Sequence, residues 1–368
     1  MHYHIILTTR CNSQCKYCYE KSMNDFDTDI EKKVTLDLSA PESSEIDIGK
    51  LKKFISKDEN AVIIFYGGEP LLQINKIMKI IDNIEVPYRM QTNGKLLDKI
   101  PIHYLNKIEK ILVSIDGDKE RTDFNRGKGT YNLLMKNISE IKEKGYSGEI
   151  IARMTLSPES PDILEQVLHL IDSGFTSIHW QIDAGFYNHD YDKEKFSFFV
   201  NEYNSSITKL IEFWMYQVNH KKVLKLYPFI GIVDSLLKGE KTLLRCGAGH
   251  SGYAIRTDGK LTACPIMTWI EDFVSGNLDS DPKEIKKFPI LGSCNNCGIK
   301  DICGGRCLYW NYLKLWPEEG NELICDTIKH LVTQLNIKIP EIKELIKKGV
   351  ISNKDFEYEK YFGPEIIP

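Results

Sequence analysis

Ten cysteines stand in this 368-residue chain, and their spacing is where chemistry is most legible. Three fall close together near the start, Cys11, Cys15 and Cys18, in the pattern C-x3-C-x2-C with Tyr17 just before the last. Seven follow after a long gap: Cys246, Cys264, Cys294, Cys297, Cys303, Cys307 and Cys325. Thiols clustered in this way, in a chain with no export signal, point to metal or redox chemistry rather than to disulfides. A structural zinc site and a complete [4Fe–4S] cluster each take four protein ligands. Three thiolates on one short loop leave an iron with an open position, which is useful where a cofactor or substrate must bind iron directly. The same loop also suits zinc, completed by a fold-back ligand such as His2 or His4 from the preceding strand.

The elements that must position these thiols can be read from periodicity. Strand-like runs lie at 4–9, 61–66, 86–92, 110–116, 149–156 and 177–183, separated by amphipathic stretches such as 71–84 and 131–145, the latter closed by Gly145. Six strand–helix repeats predict an α/β fold with a parallel sheet. A closed barrel needs eight such units, so a partial (β/α)6 barrel over residues 1–185 is expected. Ligands bind at the C-terminal edges of such strands, and the first cysteine group follows the first strand on that edge. Residues 186–245 read as a helical bridging region with one long helix over 193–219, followed by breaks at Pro228 and Gly231. Residues 246–330 are rich in Cys and Gly with little periodicity, the pattern of a small fold organised by metal. Residues 331–368 read as a tail with a short helix at 340–349.

Strand ends carry further polar motifs. Gly67-Gly68-Glu69-Pro70 follows the second strand, where glycines allow close backbone approach to a ligand and a carboxylate can pair with an ammonium group. Gly-Gly-Glu-Pro is also an ordinary turn. Gln91–Gly94, with Thr92 and Asn93, closes the third strand. Ser114–Gly117, with Asp116, closes the fourth, and Asn125-Arg126 follow in a loop. Arg153 lies in the fifth strand and Gln181 and Asp183 end the sixth. Asp116 also suits a turn cap, and Arg153 a surface ion pair. The net charge of −4 and pI near 6.2 disfavour nucleic acid as a partner. No apolar run approaches the ~18 residues of a membrane span and no signal peptide is evident, so a cytoplasmic protein is expected.

C-x3-C-x-aromatic-C after the first strand of a partial barrel resembles the radical S-adenosylmethionine (SAM) superfamily. That resemblance implies a [4Fe–4S] cluster on Cys11, Cys15 and Cys18 whose open iron binds SAM. Reductive cleavage of SAM then yields a 5′-deoxyadenosyl radical. It further implies that Gly67, Gly68, Glu69 and Pro70 hold the methionine amino group, and that Thr92, Asn93, Ser114 and Asp116 line the ribose and substrate cavity. Tyr17 joins the cofactor-binding set, and Arg153 is the expected partner of the SAM carboxylate.

The full order C-x12-G-x4-C…C-x2-C-x5-C-x3-C…C, beginning at Cys246 with Gly259 as its glycine, is similar to the SPASM domain. By spacing alone, part of it also suits a zinc ribbon. The resemblance puts Cys246, Cys264 and Cys307 on one auxiliary [4Fe–4S] cluster, and Cys294, Cys297, Cys303 and Cys325 on a second, making three clusters in all. The first of these has three thiolates, leaving an iron for a substrate thiol, water or His250. Trp269, Tyr309 and Trp310 nearby are expected to be packing residues.

SPASM enzymes mostly modify peptides or proteins. With the first motif at residue 11 there is no room before it for a leader-peptide recognition domain. The expected activity is a radical SAM oxidoreductase acting on a peptide or protein, forming a thioether at a substrate cysteine. Its electrons would come from a donor such as ferredoxin or flavodoxin. An anaerobic sulfatase-maturating enzyme, which generates formylglycine, is the alternative. Such enzymes carry an aspartate after the cysteine matching Cys264, where this chain has Pro265; Asp183 is then the candidate base. The non-enzymatic alternative is a zinc-stabilised binding protein.

Overall fold

Tyr3, Ile5 and Leu7 are fully buried, and His4 and Ile6 between them are nearly so. Burial on both faces is what a parallel strand covered on each side requires. The computed structural model describes residues 1–18, 28–187 and 189–363; the stretch just after Cys18 and the last residues of the expected tail lie outside these. The chain packs as two compact units. One comprises Met1–Ile151 and Gly247–Pro289, the other Ala152–Cys246 and Ile290–Pro368. This division follows packing and differs from the four segments read along the sequence.

In the first unit, β1 (His2–Ile6) pairs in parallel with β2 (Val62–Tyr66), from His2 opposite Val62 to Ile6 opposite Tyr66. β3 (Tyr88–Thr92) and β4 (Ile108–Ser114) continue the parallel order. The expected α/β fold with a parallel sheet is thus present. On the other side of β1 lies β8 (Gly252–Ile255), also parallel, followed by β9 (Lys260–Thr262) and β10 (Val274–Asn277) in antiparallel pairing. The order in this unit is β10-β9-β8-β1-β2-β3-β4. These last strands arise from a segment expected to have little regular structure. They are three or four residues long, too short for a period to show, yet Tyr253, Ala254, Ile255 and Leu261 are buried. Gly259, at φ +89°, turns the β8–β9 hairpin, which accounts for the glycine in the C-x12-G-x4-C spacing.

In the second unit the order is β5 (Glu149–Leu156, which enters from the first unit), β6 (Ser177–Ile182) and β7 (Lys225–Leu226). The long helix is Lys193–Asn219, as expected, with Asp192 capping the amide of Lys195. The expected tail differs. Glu318–Lys347 is one thirty-residue helix with Pro340 inside it. A mid-helix proline costs about 3 kcal/mol. Ile324, Ile328, Leu331, Leu335, Ile339 and Ile342 form a buried stripe that packs on Lys193–Asn219. Burying each such side chain stabilises by about 1.5–3 kcal/mol, so tertiary packing overrides the breaker. Among the described residues no helix is long and apolar enough to cross a membrane.

Candidate active site

The cysteine loop leaves β1 and is tied down from three neighbouring strand ends. Gly68 N–H donates to Thr8 O at 2.8 Å and Glu69 N–H to Arg10 O at 2.9 Å. A Cβ on Gly68 would lie 2.3 Å from Arg10 O, and one on Gly67 would lie 2.3 Å from Thr8 O. These glycines admit the backbone of the β1 exit. From the end of β3, Asn93 Nδ2 donates to Asn12 Oδ1 at 2.7 Å and stands 3.7 Å from Cys11 Sγ. Beyond β4, Asn125 O accepts from Lys16 N–H at 2.9 Å.

Glu69 is fully buried. Its carboxylate accepts from Leu71 N–H (3.0 Å), Thr92 Oγ1 (2.7 Å) and Asn93 N–H (2.8 Å), which locks the β2 end to the β3 end. Burial nevertheless outweighs these three donors and pushes its carboxyl up from the usual 4.5 to about 7. A raised carboxyl pKa favours the folded protein fully below pH 4.5, and that contribution is lost as pH rises through 7. The expected size of the loss is about 3 kcal/mol. Urea unfolding of SAM-free protein between pH 5 and 8 should therefore show a downward slope that Glu69→Gln flattens; an equal slope in both proteins refutes the assignment.

Asp116 was expected at the ribose or as a turn cap. Its buried carboxylate receives Arg126 Nε at 2.9 Å and Nη2 at 2.8 Å, together with the Tyr17 hydroxyl. Arg126 does not lie in a loop: it closes the helix Lys119–Arg126, which Asp118 caps at the amide of Arg121. Burial raises the Tyr17 phenol well above its ordinary range, so it is a proton donor to Asp116. Tyr17 thus fixes the cysteine loop through its hydroxyl end. Ser114 is half-buried at the end of β4, and Pro70 starts the short helical turn Pro70–Gln73.

Burial pushes the Cys11 thiol up to about 11, with the neighbouring Cys15 and Cys18 among the groups that add to the rise. Three soft donors on one short loop suit a metal centre, whose positive charge converts thiols to thiolates. His2 and His4 stay in β1, where His4 packs edge-on against Tyr66.

In the second unit, Cys294, Cys297, Cys303 and Cys325 line one cavity with Arg306 and Trp310. The backbone amides of Gly305 and Arg306 donate to Cys303, and Asn311 Nδ2 stands 3.5 Å from Cys294 Sγ. Gly304, Gly305 and Arg306 have successive φ values of +68°, +102° and +55°. Such a run curls backbone N–H groups into an anion-binding concavity. Among the described residues no three His, Cys, Asp or Glu side chains close on a single ion; these thiols surround a shared space, the arrangement that a multi-iron cluster takes. The donor set fits a four-thiolate cluster.

The remaining predicted positions are placed individually. Cys246 and Cys307 belong to the second unit, where the amides of Tyr309 and Trp310 donate to Cys307. Cys264 belongs to the first unit and precedes the turn Pro265–Met267. His250 Nδ1 shares a hydrogen bond with Ser251 Oγ at 2.8 Å. Arg153 is buried rather than on the surface, and donates to Gln181 Oε1 at 2.7 Å. Asp183 is half-buried, its amide bonded to Leu156 O at 2.8 Å. Trp269, Tyr309 and Trp310 are buried. Two roles escaped the sequence: Arg126, whose partner is reached only through folding, and Arg306, whose one signal is a cation set between Gly-Gly and Cys.

A sheet-edge cysteine loop clamped by GGEP, TNG and the Asp116 cluster defines a radical SAM domain. Residues 5–171 match the radical SAM superfamily, and this part of the chain is a radical SAM domain. Over 366 residues it is 23% identical to the radical SAM cyclopropyl synthase TigE of Paramaledivibacter caminithermalis, covering 90% of this chain and 73% of that one. Over 328 residues it is 21% identical to a cysteine-type anaerobic sulfatase-maturating enzyme of Clostridium perfringens, covering 81% and 85%. The solved structure of native anSMEcpe with bound AdoMet and Cp18Cys peptide has the same fold. It matches with TM-score 0.69 at 17% identity, over 94% of this chain and 99% of that one. The protein is a radical SAM enzyme related to sulfatase maturases and peptide-modifying enzymes. Family membership implies a [4Fe–4S] cluster and SAM as cofactors.

Proposed function

We propose that this enzyme modifies a cysteine-containing peptide or protein by forming a thioether, and that it carries two auxiliary [4Fe–4S] clusters besides the SAM cluster. The observation that carries the reading is the single cavity lined by Cys294, Cys297, Cys303 and Cys325, in a chain that also holds the three-cysteine loop. The fold shared with a peptide-bound relative supports a macromolecular substrate. When bound, the SAM cluster and SAM supply a primary carbon radical able to abstract hydrogen. Cys11, Cys15 and Cys18 hold the cluster, and Asn93, Glu69, Asp116 and Arg126 keep their loop in place. The assignments of Thr92, Ser114 and Arg153 to SAM, and of Asp183 as a base, remain part of this proposal.

A second auxiliary cluster is assigned to Cys246, Cys264 and Cys307, whose three thiolates leave an iron for the substrate thiol, a soft ligand. Thioether formation joins sulfur to carbon with loss of two hydrogens. One leaves as an atom to the radical, the other as a proton, and one electron passes to the enzyme. A low-potential donor such as ferredoxin or flavodoxin supplies the electron for SAM cleavage. The stretch Cys264-Pro265-Ile266-Met267 has no carboxylate to serve formylglycine formation.

The test is anaerobic incubation of reconstituted enzyme, SAM and dithionite with single-cysteine peptides and their Cys→Ser counterparts. Products lighter by two hydrogens and lacking a free thiol are expected from the cysteine peptides only. Equal turnover of both sets removes the thiol from the mechanism, and an aldehyde product at cysteine moves the enzyme to the sulfatase-maturase class.

A further inference from the structure

Arg306 is a buried cation with two nitrogen donors, Nε and Nη1, that have no acceptor in the protein. The residue is 5% exposed, its Nε and Nη1 have no hydrogen-bond partner, and Nη2 reaches only Ala184 O at 3.4 Å. Among the described residues it pairs with no carboxylate. Its guanidinium lies over the rings of Phe186 and Trp310, at 5.8 and 6.0 Å. Those faces attract a cation but satisfy none of its N–H groups. Trp310 Nε1 is buried and unpartnered as well. Orphaned buried donors are rare in native proteins, and an uncompensated buried charge is strongly destabilising. Both residues line the cavity of Cys294, Cys297, Cys303 and Cys325. Arg306 is held there with φ +55°, a conformation that a non-glycine residue seldom adopts and that tends to mark functional sites.

We propose that Arg306 and Trp310 are the polar partners of the cluster held by these four cysteines, and that Arg306 raises its reduction potential. The inference rests on the three-cluster reading above. Four thiolates around a doubly positive core carry two net negative charges, and accepting one electron adds a third. A fixed, buried positive charge stabilises the more negative state, because low dielectric leaves it little screened. The indole N–H and the amides of Gly305 and Arg306 act in the same sense through partial charges. With Arg306 the cluster is poised to accept the electron released by a substrate radical; without it the equilibrium moves towards the oxidised form.

The experiment isolates this cluster in the full chain carrying Cys11→Ala, Cys15→Ala, Cys18→Ala and Cys264→Ala. Iron and sulfide are counted, and the paramagnetic signal is titrated by dye-mediated potentiometry with dithionite. About four irons should remain. Arg306→Gln should then shift the reduction equilibrium at least tenfold towards the oxidised state, a one-electron potential about 59 mV more negative. Arg306→Lys should restore most of the shift, and Trp310→Phe should shift it in the same direction by less. Full iron with an unchanged potential in Arg306→Gln overturns the proposal. Should that variant not load iron, Trp310→Phe decides, and an unchanged potential and line shape there overturns it. A background protein without iron refutes the three-cluster reading itself.

Discussion

Cys15→Ser should abolish production of 5′-deoxyadenosine from SAM while leaving most of the iron in place. Cys15 is the middle cysteine of C-x3-C-x2-C, and each side of its loop is fixed independently. Asn93 and the GGEP glycines hold the Cys11 side, and Asn125, Asp116 and Arg126 hold the side of Lys16 and Tyr17. A serine oxygen there is a hard donor in place of a soft thiolate, and the loop offers no fourth thiol to replace it. Cleavage measured under dithionite should fall roughly a thousandfold or more, beyond about 4 kcal/mol of barrier. On the proposed three-cluster reading, iron should fall only from about twelve to about eight per chain, since the seven cysteines from Cys246 onward are untouched. Turnover at the wild-type rate, or loss of all iron, contradicts the division of cysteines into an N-terminal SAM-binding group and a separate auxiliary group.

Arg126→Met is the largest expected change in stability. Asp116 is fully buried, and its carboxylate is compensated by a bidentate guanidinium and one phenol. Removing the cation while keeping the anion leaves an unpaired buried charge, which destabilises by about 3–5 kcal/mol. Asp116→Asn combined with Arg126→Met removes both charges and should recover a substantial part of that loss. A double-mutant cycle by anaerobic urea unfolding measures the coupling. If the single and double variants lose equal stability at neutral pH, the pair is not coupled. Since Tyr17 hangs from the same carboxylate, the single variant should bind SAM more weakly even where it remains folded.

Much of the molecule was legible before folding because its signals are local. The C-x3-C-x2-C loop, the GGEP, TNG and SIDG strand ends and the parallel strand–helix alternation each occupy a few adjacent residues. So does the Lys193–Asn219 helix, whose apolar stripe and Asp192 cap lie within its own span. Elements decided by distant partners were read less well. Pro340 marks a break in any local reading, yet the helix runs through it, because its stripe finds Lys193–Asn219 more than a hundred residues away. The β8–β10 strands are too short to show a period and exist because β1 offers them a free edge.

The sequence by itself determined the chemical class: the number and spacing of the thiols point to iron–sulfur chemistry, and no folding is needed to count them. Only the tertiary structure decided what the polar residues around those thiols do. Glu69 and Asp116 are buried and tie strand ends and the cysteine loop together, because their partners Thr92, Asn93 and Arg126 arrive from other elements. Arg306 reads as an ordinary loop cation until the fold buries it beside four cysteines with Nε and Nη1 lacking an acceptor. Residue type sets what a group can donate or accept, whereas burial and the company of distant side chains set what it must bind.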